Sequence, residues 1–228
     1  MMTDDEARRP GALPELIRRL KNPGEPDRDL IARLIGVAGG QDAVAPLMDA
    51  LQDEDIQVAW RALDALEALK DLVWPQTLLK AFDLQAEPRI RGGIALLYGK
   101  LEGPAKHLRE RLDDSASRGD VVAALARLGD EEARAEFGRK PSHALFEYVR
   151  GPWLLKHLLP LLDDEKRMVQ GAHVATDNEC REIGGKRMCD LAVEEAAVAH
   201  AFSFEVPQMG YYTPAQIDEV RRFLRGSA

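Results

Sequence analysis

Apolar and polar positions alternate most legibly between residues 46 and 69. Leu47, Met48 and Leu51 fall at i, i+1 and i+4 and share one helical face. Gln52, Asp53, Glu54 and Asp55 interrupt the apolar pattern and supply capping side chains for a second helix. Ile56, Ala59, Leu63 and Leu66 then return at helical spacing. The pattern predicts two short helices joined by a tight acidic turn. One such pair cannot bury both of its apolar faces, so it needs a similar pair on each side.

The neighbours can be found by their first apolar residue. Leu16, Leu47, Leu78 and Leu108 open LIRRLKN, LMDALQD, LLKAFDL and LRERLDD, at steps of 31, 31 and 30 residues. LLPLLDD opens at Leu158 after a step of 50, which leaves room for one degraded unit between. Self-similarity at a fixed period of a few tens of residues marks a stacked array.

Each acidic turn leads into an Ala- and Leu-rich segment: VAWRALDAL at 58–66, IRGGIALLYG at 90–99 and VVAALARLGD at 121–130. These segments resemble HEAT-type repeats, and more closely the short bacterial HEAT-like units of phycobilisome-lyase-like proteins. The resemblance covers roughly residues 14–170. It implies an all-α solenoid of stacked antiparallel helix pairs, and it implies little chemistry, because such arrays host many functions. The expected organisation is a loose N-terminal arm over 1–12, the array over 13–170, and a long loop with C-terminal capping helices over 171–228.

Along the array the expected helices are 13–20 and 30–37, then the pair already described, then one after Trp74-Pro75 and one over 89–100. Two more come at 106–112 and 121–128. Residues 131–137, 144–150 and 153–162 are expected to be helical but irregular, with Pro160 a candidate kink. The polar run 171–186 has no helical period and exceeds the usual connection of ~4–6 residues. Helical spacing resumes at Met188, with Leu191, Val198 and Phe202 as core positions. Thr213-Pro-Ala-Gln216 is a capping box that opens a last helix over 217–224.

Composition narrows the reading. The chain of 228 residues is 45% hydrophobic but only 6% aromatic, which suits close helix packing. With 31 basic against 39 acidic residues the net charge is -8, so nucleic acid is disfavoured and a partner with a basic surface is favoured. The N-terminus shows no apolar signal region, and no stretch approaches the ~18 apolar residues of a membrane span. Two cysteines make no disulfide framework. These features point to the cytoplasm.

Candidate chemistry is sparse. His173, Cys180, Cys189 and His200 are separated by 6, 8 and 10 intervening residues, without the CxxC or HxxxH spacing of a zinc site. Cys189 and His200 lie three turns apart on one expected helix, about 16 Å by the usual rise. Neither metal nor cofactor is expected. The turn carboxylates Asp53, Asp113, Asp114, Asp163 and Asp164 read as caps, and Ser115 and Ser117 have no histidine placed beside them. Gly92-Gly93 and Gly184-Gly185 match no phosphate loop; the first pair reads as a close-packing site in a helix.

What remains is surface. In a solenoid the second helix of each pair commonly lines the inner face. Trp60, Asp64, Arg91, Tyr98 and Arg127 would then form one mixed face of the aromatic and arginine type found at binding hot spots. A rival location is the loop, through Asp177, Glu179, Arg181 and Lys186. The expected function is a non-catalytic protein-binding module, of a bacterial regulatory or immunity type that masks its partner. An enzymatic alternative comes from similarity to HEAT-like alkylpurine DNA glycosylases, with Trp60, Trp74 and Trp153 as candidates for holding a damaged base. That family's basic concave surface is at odds with this acidic chain, and its aromatic–Asp–Arg site has no match among these tryptophans. A phycobilin-lyase-like chromophore role rests on the fold resemblance alone. Elemental analysis of natively purified protein is expected to find no stoichiometric metal; one zinc per chain, lost on replacing Cys180 or Cys189, would contradict this reading.

Overall fold

The computed structural model describes residues 3–139, 141–149, 151–163, 188–200 and 212–226. The described residues are helical, with no strand among them. The chain divides after Asp130 into two compact units. The segment 13–170, expected to form one array, is thus shared between two packing units.

The first unit opens with α1 (Asp4–Ala7). Residues 1–12 were expected to form a loose arm. Instead Thr3 Oγ1 accepts from Glu6 N at 3.3 Å, and the Glu6 carboxylate accepts from Thr3 N at 2.9 Å. This reciprocal cap holds the turn. Arg33 Nη2 donates to Asp4 at 2.6 Å and ties it down, and Ala7 is buried. Then come α2 (Ala12–Leu20), α3 (Arg28–Ala38), α4 (Gln41–Ala50), α5 (Ile56–Ala68), α6 (Pro75–Leu84), α7 (Pro88–Lys100), α8 (Ala105–Arg109) and α9 (Arg118–Arg127).

Each even-numbered helix from α2 to α8 packs on the helix after it. The second members of the pairs also pack in succession, α3 on α5, α5 on α7 and α7 on α9. The marker leucines Leu16, Leu47, Leu78 and Leu108 are all completely buried, so the spacing read from sequence picks out equivalent core positions. Three boundaries in this unit differ from the reading by three residues or more, one of them the start of α9, at Arg118 instead of Val121. Helix α4 starts five residues before Pro46, which lies inside it; a proline reads as a helix start and hid the first turn. Helix α8 is only a short turn-and-a-half, because Glu110 to Asp113 continue as turns.

The helix-pair junctions are held by a recurring solution to one problem. The last carbonyls of a helix have no partner within it. Arg28, the first residue of α3, donates through Nε to Leu20 O at 3.0 Å and through Nη1 to Asp53 in the next turn at 3.1 Å. Arg91 of α7 does the same two pairs later, donating to Gln85 O at 3.0 Å and to Asp114 at 3.2 Å. Between them, Gln52 donates to Ala81 O at 3.0 Å and Gln85 donates back to Leu51 O. Arg118 covers Leu112 O at 2.8 Å.

In the second unit, α10 (Glu131–Arg139), α11 (His143–Val149) and α12 (Leu155–Leu158) are followed by α13 (Met188–His200) and α14 (Pro214–Gly226). The single helix expected over 153–162 is broken: 3-10 turns over Pro152–Leu154 and Leu159–Asp163 flank α12, consistent with Pro160 denying an amide donor. Helix α13 packs on α12, α14 and the second of these turns. Its buried carboxylates anchor loops: Asp190 accepts from Tyr212 N at 2.9 Å and Glu195 from Gly151 N at 3.1 Å. The capping box forms as read, with Gln216 N 3.3 Å from Thr213 Oγ1 and Thr213 N 2.9 Å from Gln216 Oε1.

Leu51 and Leu66 are both completely buried in the first unit. Truncating either to alanine is expected to lower stability by roughly 2–5 kcal/mol, from lost transfer energy plus the cavity left behind. Chemical denaturation of both variants checks this, and a change under about half a kilocalorie at both sites would place the helix faces elsewhere.

Candidate functional site

The second helices of the first unit carry most of the residues singled out from sequence, but the fold divides them. On α5 the positions 57, 60, 61, 64 and 67 form the outward stripe, because Val58, Ala59, Ala62, Leu63, Ala65 and Leu66 take up the buried face. Asp64 and Arg127 do come together. With Glu67, Ala68, Lys70 and Lys100 they line a depression of about 680 Å³ at the C-terminal ends of α5, α7 and α9. Lys100 is ion-paired with Glu67, and Arg61 lies 3.6 Å from Asp64. Lys100 and Arg127 sit in the last turns of their helices, where the macrodipole favours a cation.

Arg91 and Tyr98 do not belong to this face. Both were expected on the exposed stripe, seven residues apart on α7. That side of α7 turns inward. Tyr98 is 0% exposed; its hydroxyl donates to Pro104 O at 2.9 Å, and burial pushes its phenol upward. Its ring lies over Gly103, where an added Cβ would meet ring carbons at 2.3 Å. Tyr98 is thus a core residue, not a partner anchor. Arg91 faces a different depression, of about 310 Å³, with Phe82, Asp83, Glu110, Arg111, Asp113 and Asp114. There Arg111 holds Asp83 through two bonds, at 2.8 and 2.5 Å. Arg91 and Arg111 tie adjacent turns together, which is a structural role.

Trp60 is half-buried, with its six-membered ring against α7. An added Cβ on Gly93 would lie 3.2 Å from Trp60 Cζ3 and 2.3 Å from Leu63 Cδ2. The same construction on Gly92 would lie 2.2 Å from Asp120 Oδ2 of α9. The glycine pair is a close-packing site between second helices, as its place in the sequence suggested. Asp120 was missed. Three residues after Ser117 it reads as an ordinary first-turn acid, and its only distinguishing signal is the glycine pair opposite. Burial raises its carboxyl above the ordinary aspartate range.

Asp114 behaves in the opposite way. The Ser117 hydroxyl donates to it first of all, and Ala116 N and the Arg91 guanidinium add to this, so its carboxyl is held below the ordinary range. Ser117, Asp114 and Arg91 form a hydrogen-bonded group that stabilises a turn, and the only basic member the described residues add is this guanidinium.

The other tryptophans lie elsewhere. Trp74, before α6, is 71% exposed, and Leu84 at the other end of α6 is 75% exposed. Trp153 belongs to the second unit, with Phe137 and His157 edge-on at 6.4 and 6.0 Å and the Arg134 guanidinium 5.3 Å from its ring centroid. A further depression of about 710 Å³ in that unit is lined by Asp163, Ala215, Asp218, Arg221, Arg222 and Arg225.

The loop candidates Asp177, Glu179, Arg181 and Lys186 lie outside the described residues, as do His173 and Cys180. Cys189 is fully buried on α13. Among the described residues no group of three or more histidine, cysteine or acidic side chains could hold a metal ion. No helix of the described residues is long and apolar enough to cross a membrane. In comparison with known proteins, no family model matches the chain and no curated protein matches it.

The two carboxylates give opposite pH signatures. Asp114, lowered in the fold, contributes stability that is complete above the ordinary carboxylate range and is lost as pH falls through its folded value. Asp114→Asn is expected to destabilise by about 1–3 kcal/mol at neutral pH, with a deficit that shrinks in acid. Asp120, raised in the fold, loses stability as pH rises from the ordinary aspartate range through its folded value. Asp120→Asn should therefore be more stable than the parent at neutral pH, and the gain should vanish in acid. Denaturation midpoints across that pH range decide both.

Proposed function

We propose that the chain is a HEAT-like repeat protein, an all-α solenoid that binds another protein on the face of its second helices and catalyses nothing. The observation that carries this reading is the depression shared by α5, α7 and α9, where Asp64, Glu67, Lys100 and Arg127 converge from three successive pairs. A surface assembled from equivalent positions of stacked units is how such arrays present a binding face. The regular leucine spacing and the succession of α3, α5, α7 and α9 support the repeat assignment. The face mixes charges of both signs, and the half-buried Trp60 lies on the same outward stripe of α5 as Asp64 and Glu67. Mixed charge with aromatic anchors is the composition of protein interfaces, whereas duplex DNA requires a basic stripe.

Within this reading the protein is a bacterial cytoplasmic regulator, of an immunity type, that masks a partner with a basic surface. The net charge of -8 supports that complementarity.

Affinity capture from the native host, with the full chain as bait, tests the proposal. Trp60→Ala is expected to weaken capture of the identified protein by ~2 kcal/mol or more, mainly through the off-rate. Arg127→Glu should change the salt dependence of association more than its strength at fixed salt. Deletion of residues 176–184 addresses the rival site. Capture that survives both helix substitutions but not the deletion would assign function to the 171–186 segment.

A further inference from the structure

Two large apolar side chains stand exposed among the described residues, Trp74 and Leu84, and both belong to α6, at its two ends. Helix α6 is the middle one of three first helices that lie side by side. Gln52, just past α4, reaches Ala81 O of α6, and Arg111, just past α8, reaches Asp83 of α6. The outward sides of these helices, turned away from the second helices, are sorted by charge. Helix α4 carries Asp42 and Asp49, seven residues apart and so on one stripe, and no basic residue; no lysine or arginine occurs over 34–60. Helix α8 carries Lys106 and Arg109 and no acid. Asp83 and Arg109 are already ion-paired, with Arg111 and Asp130. Asp42, Asp49, Lys80 and Lys106 are exposed and make no ion pair or hydrogen bond among the described residues. The unpaired charges of the three helices are therefore acids on one flank, with a lysine in the middle and a lysine on the other flank, and they cancel.

We propose that this face joins two copies of the chain about a two-fold axis that runs along α6. Such an axis sets α6 against α6, and on both flanks at once it sets α4 of one copy against α8 of the other. Acid then meets lysine. Counted from the equivalent leucines Leu47 and Leu108, Lys106 falls between Asp42 and Asp49. It lies about 4.5 Å along the helix direction from the first and about 6 Å from the second, within reach of a lysine stem. Lys80 stands two residues past Leu78, the register of Asp49, and its stem turns to that acid across the interface. Trp74 and Leu84, on the helix nearest the axis, lose exposed surface in both copies, which supplies the apolar driving force. An axis at right angles to the helices would set α4 against α4 and gather the aspartates of both copies, which like-charge repulsion disfavours. At the usual helix spacing and rise, the three helices present a face of roughly 450 Å² on each copy. The total of about 900 Å² belongs to weak, reversible pairs rather than obligate dimers. The second helices lie on the other side of the first unit. The pair leaves the proposed binding face open in both copies, and the inference stands or falls independently of it.

Sedimentation of the full chain over a range of concentrations tests this. A reversible rise from the 25.3 kDa monomer toward twice that mass is expected, at roughly tens to hundreds of micromolar chain. Trp74→Ser should raise the dissociation constant about tenfold or more. Asp49→Lys and Lys106→Asp, each at an exposed position, should each raise it about tenfold, because every reversal acts twice in a two-fold pair. The decisive sample is the equimolar mixture of those two charge variants. Each copy then meets a complementary charge on both flanks, so heterodimers are expected at concentrations where either variant alone is monomeric. Three outcomes, with every variant folded by circular dichroism, would overturn the proposal: a monomer at about 1 mM chain, a dimer indifferent to Trp74→Ser, or a mixture no better associated than its components. So would a dimer weakened by Trp74→Ser but by neither charge reversal, since α4 would then face something other than α8.

Discussion

The first unit depends on how closely its second helices approach one another. Gly36 of α3 lies so near α5 that an added Cβ would sit 2.6 Å from the Ala65 Cβ, and Gly92 and Gly93 of α7 are covered by side chains from α9 and α5 in turn. Small residues at these crossings let backbone meet side chain without a gap, and cores tolerate neither voids nor overlap. Most other features derive from this. Helix α7, pressed from both sides, buries Ile90, Ile94, Ala95, Leu97 and even Tyr98. The first helices then fill the remaining side, and their C-terminal carbonyls end up inside the junctions.

Those carbonyls explain why so many arginines and glutamines that look like surface residues are structural. Arg28, Gln52, Gln85, Arg91 and Arg118 each donate to a main-chain oxygen at or near a helix end. A long polar side chain can do this and still reach a carboxylate in the adjacent turn. Arg28 and Arg91 combine the two, so each closes a helix and joins it to the next pair with one guanidinium group.

The parts of this arrangement that were legible in the sequence are those set by local periodicity. Leu16, Leu47, Leu78 and Leu108 report their own burial through spacing, and Thr213 with Gln216 reports a helix start, because both depend on neighbours within one turn or one repeat. Arg91 and Tyr98 were misplaced because their orientation is decided by other helices. A hydroxyl and a guanidinium look solvent-seeking until the carbonyls of Pro104 and Gln85 are seen beside them. Asp120 could not be distinguished from any first-turn acid, since what sets it apart is its close contact with the Gly92 backbone, on a helix about thirty residues away. Asp64 and Arg127 line one depression because both project from the C-terminal parts of regular helices, where the direction of a stripe follows from local periodicity.

The junctions also bear on how a chain of this kind can lengthen or shorten. The join from the α2–α3 pair to the α4–α5 pair uses an arginine and an aspartate, the next uses two glutamines against carbonyls, and the third returns to arginine and aspartate. A single extra copy of the α4–α5 pair would present Glu54 where Gln85 is needed, by the leucine register, and would set an acid against the Leu51 carbonyl. Copying α4 to α7 as a block would instead face Arg91 with a second Asp53 and leave each type of join intact. By the hydrogen bonds of the junctions, then, the segment that could be copied without breaking a join is the four helices α4 to α7, not one helix pair.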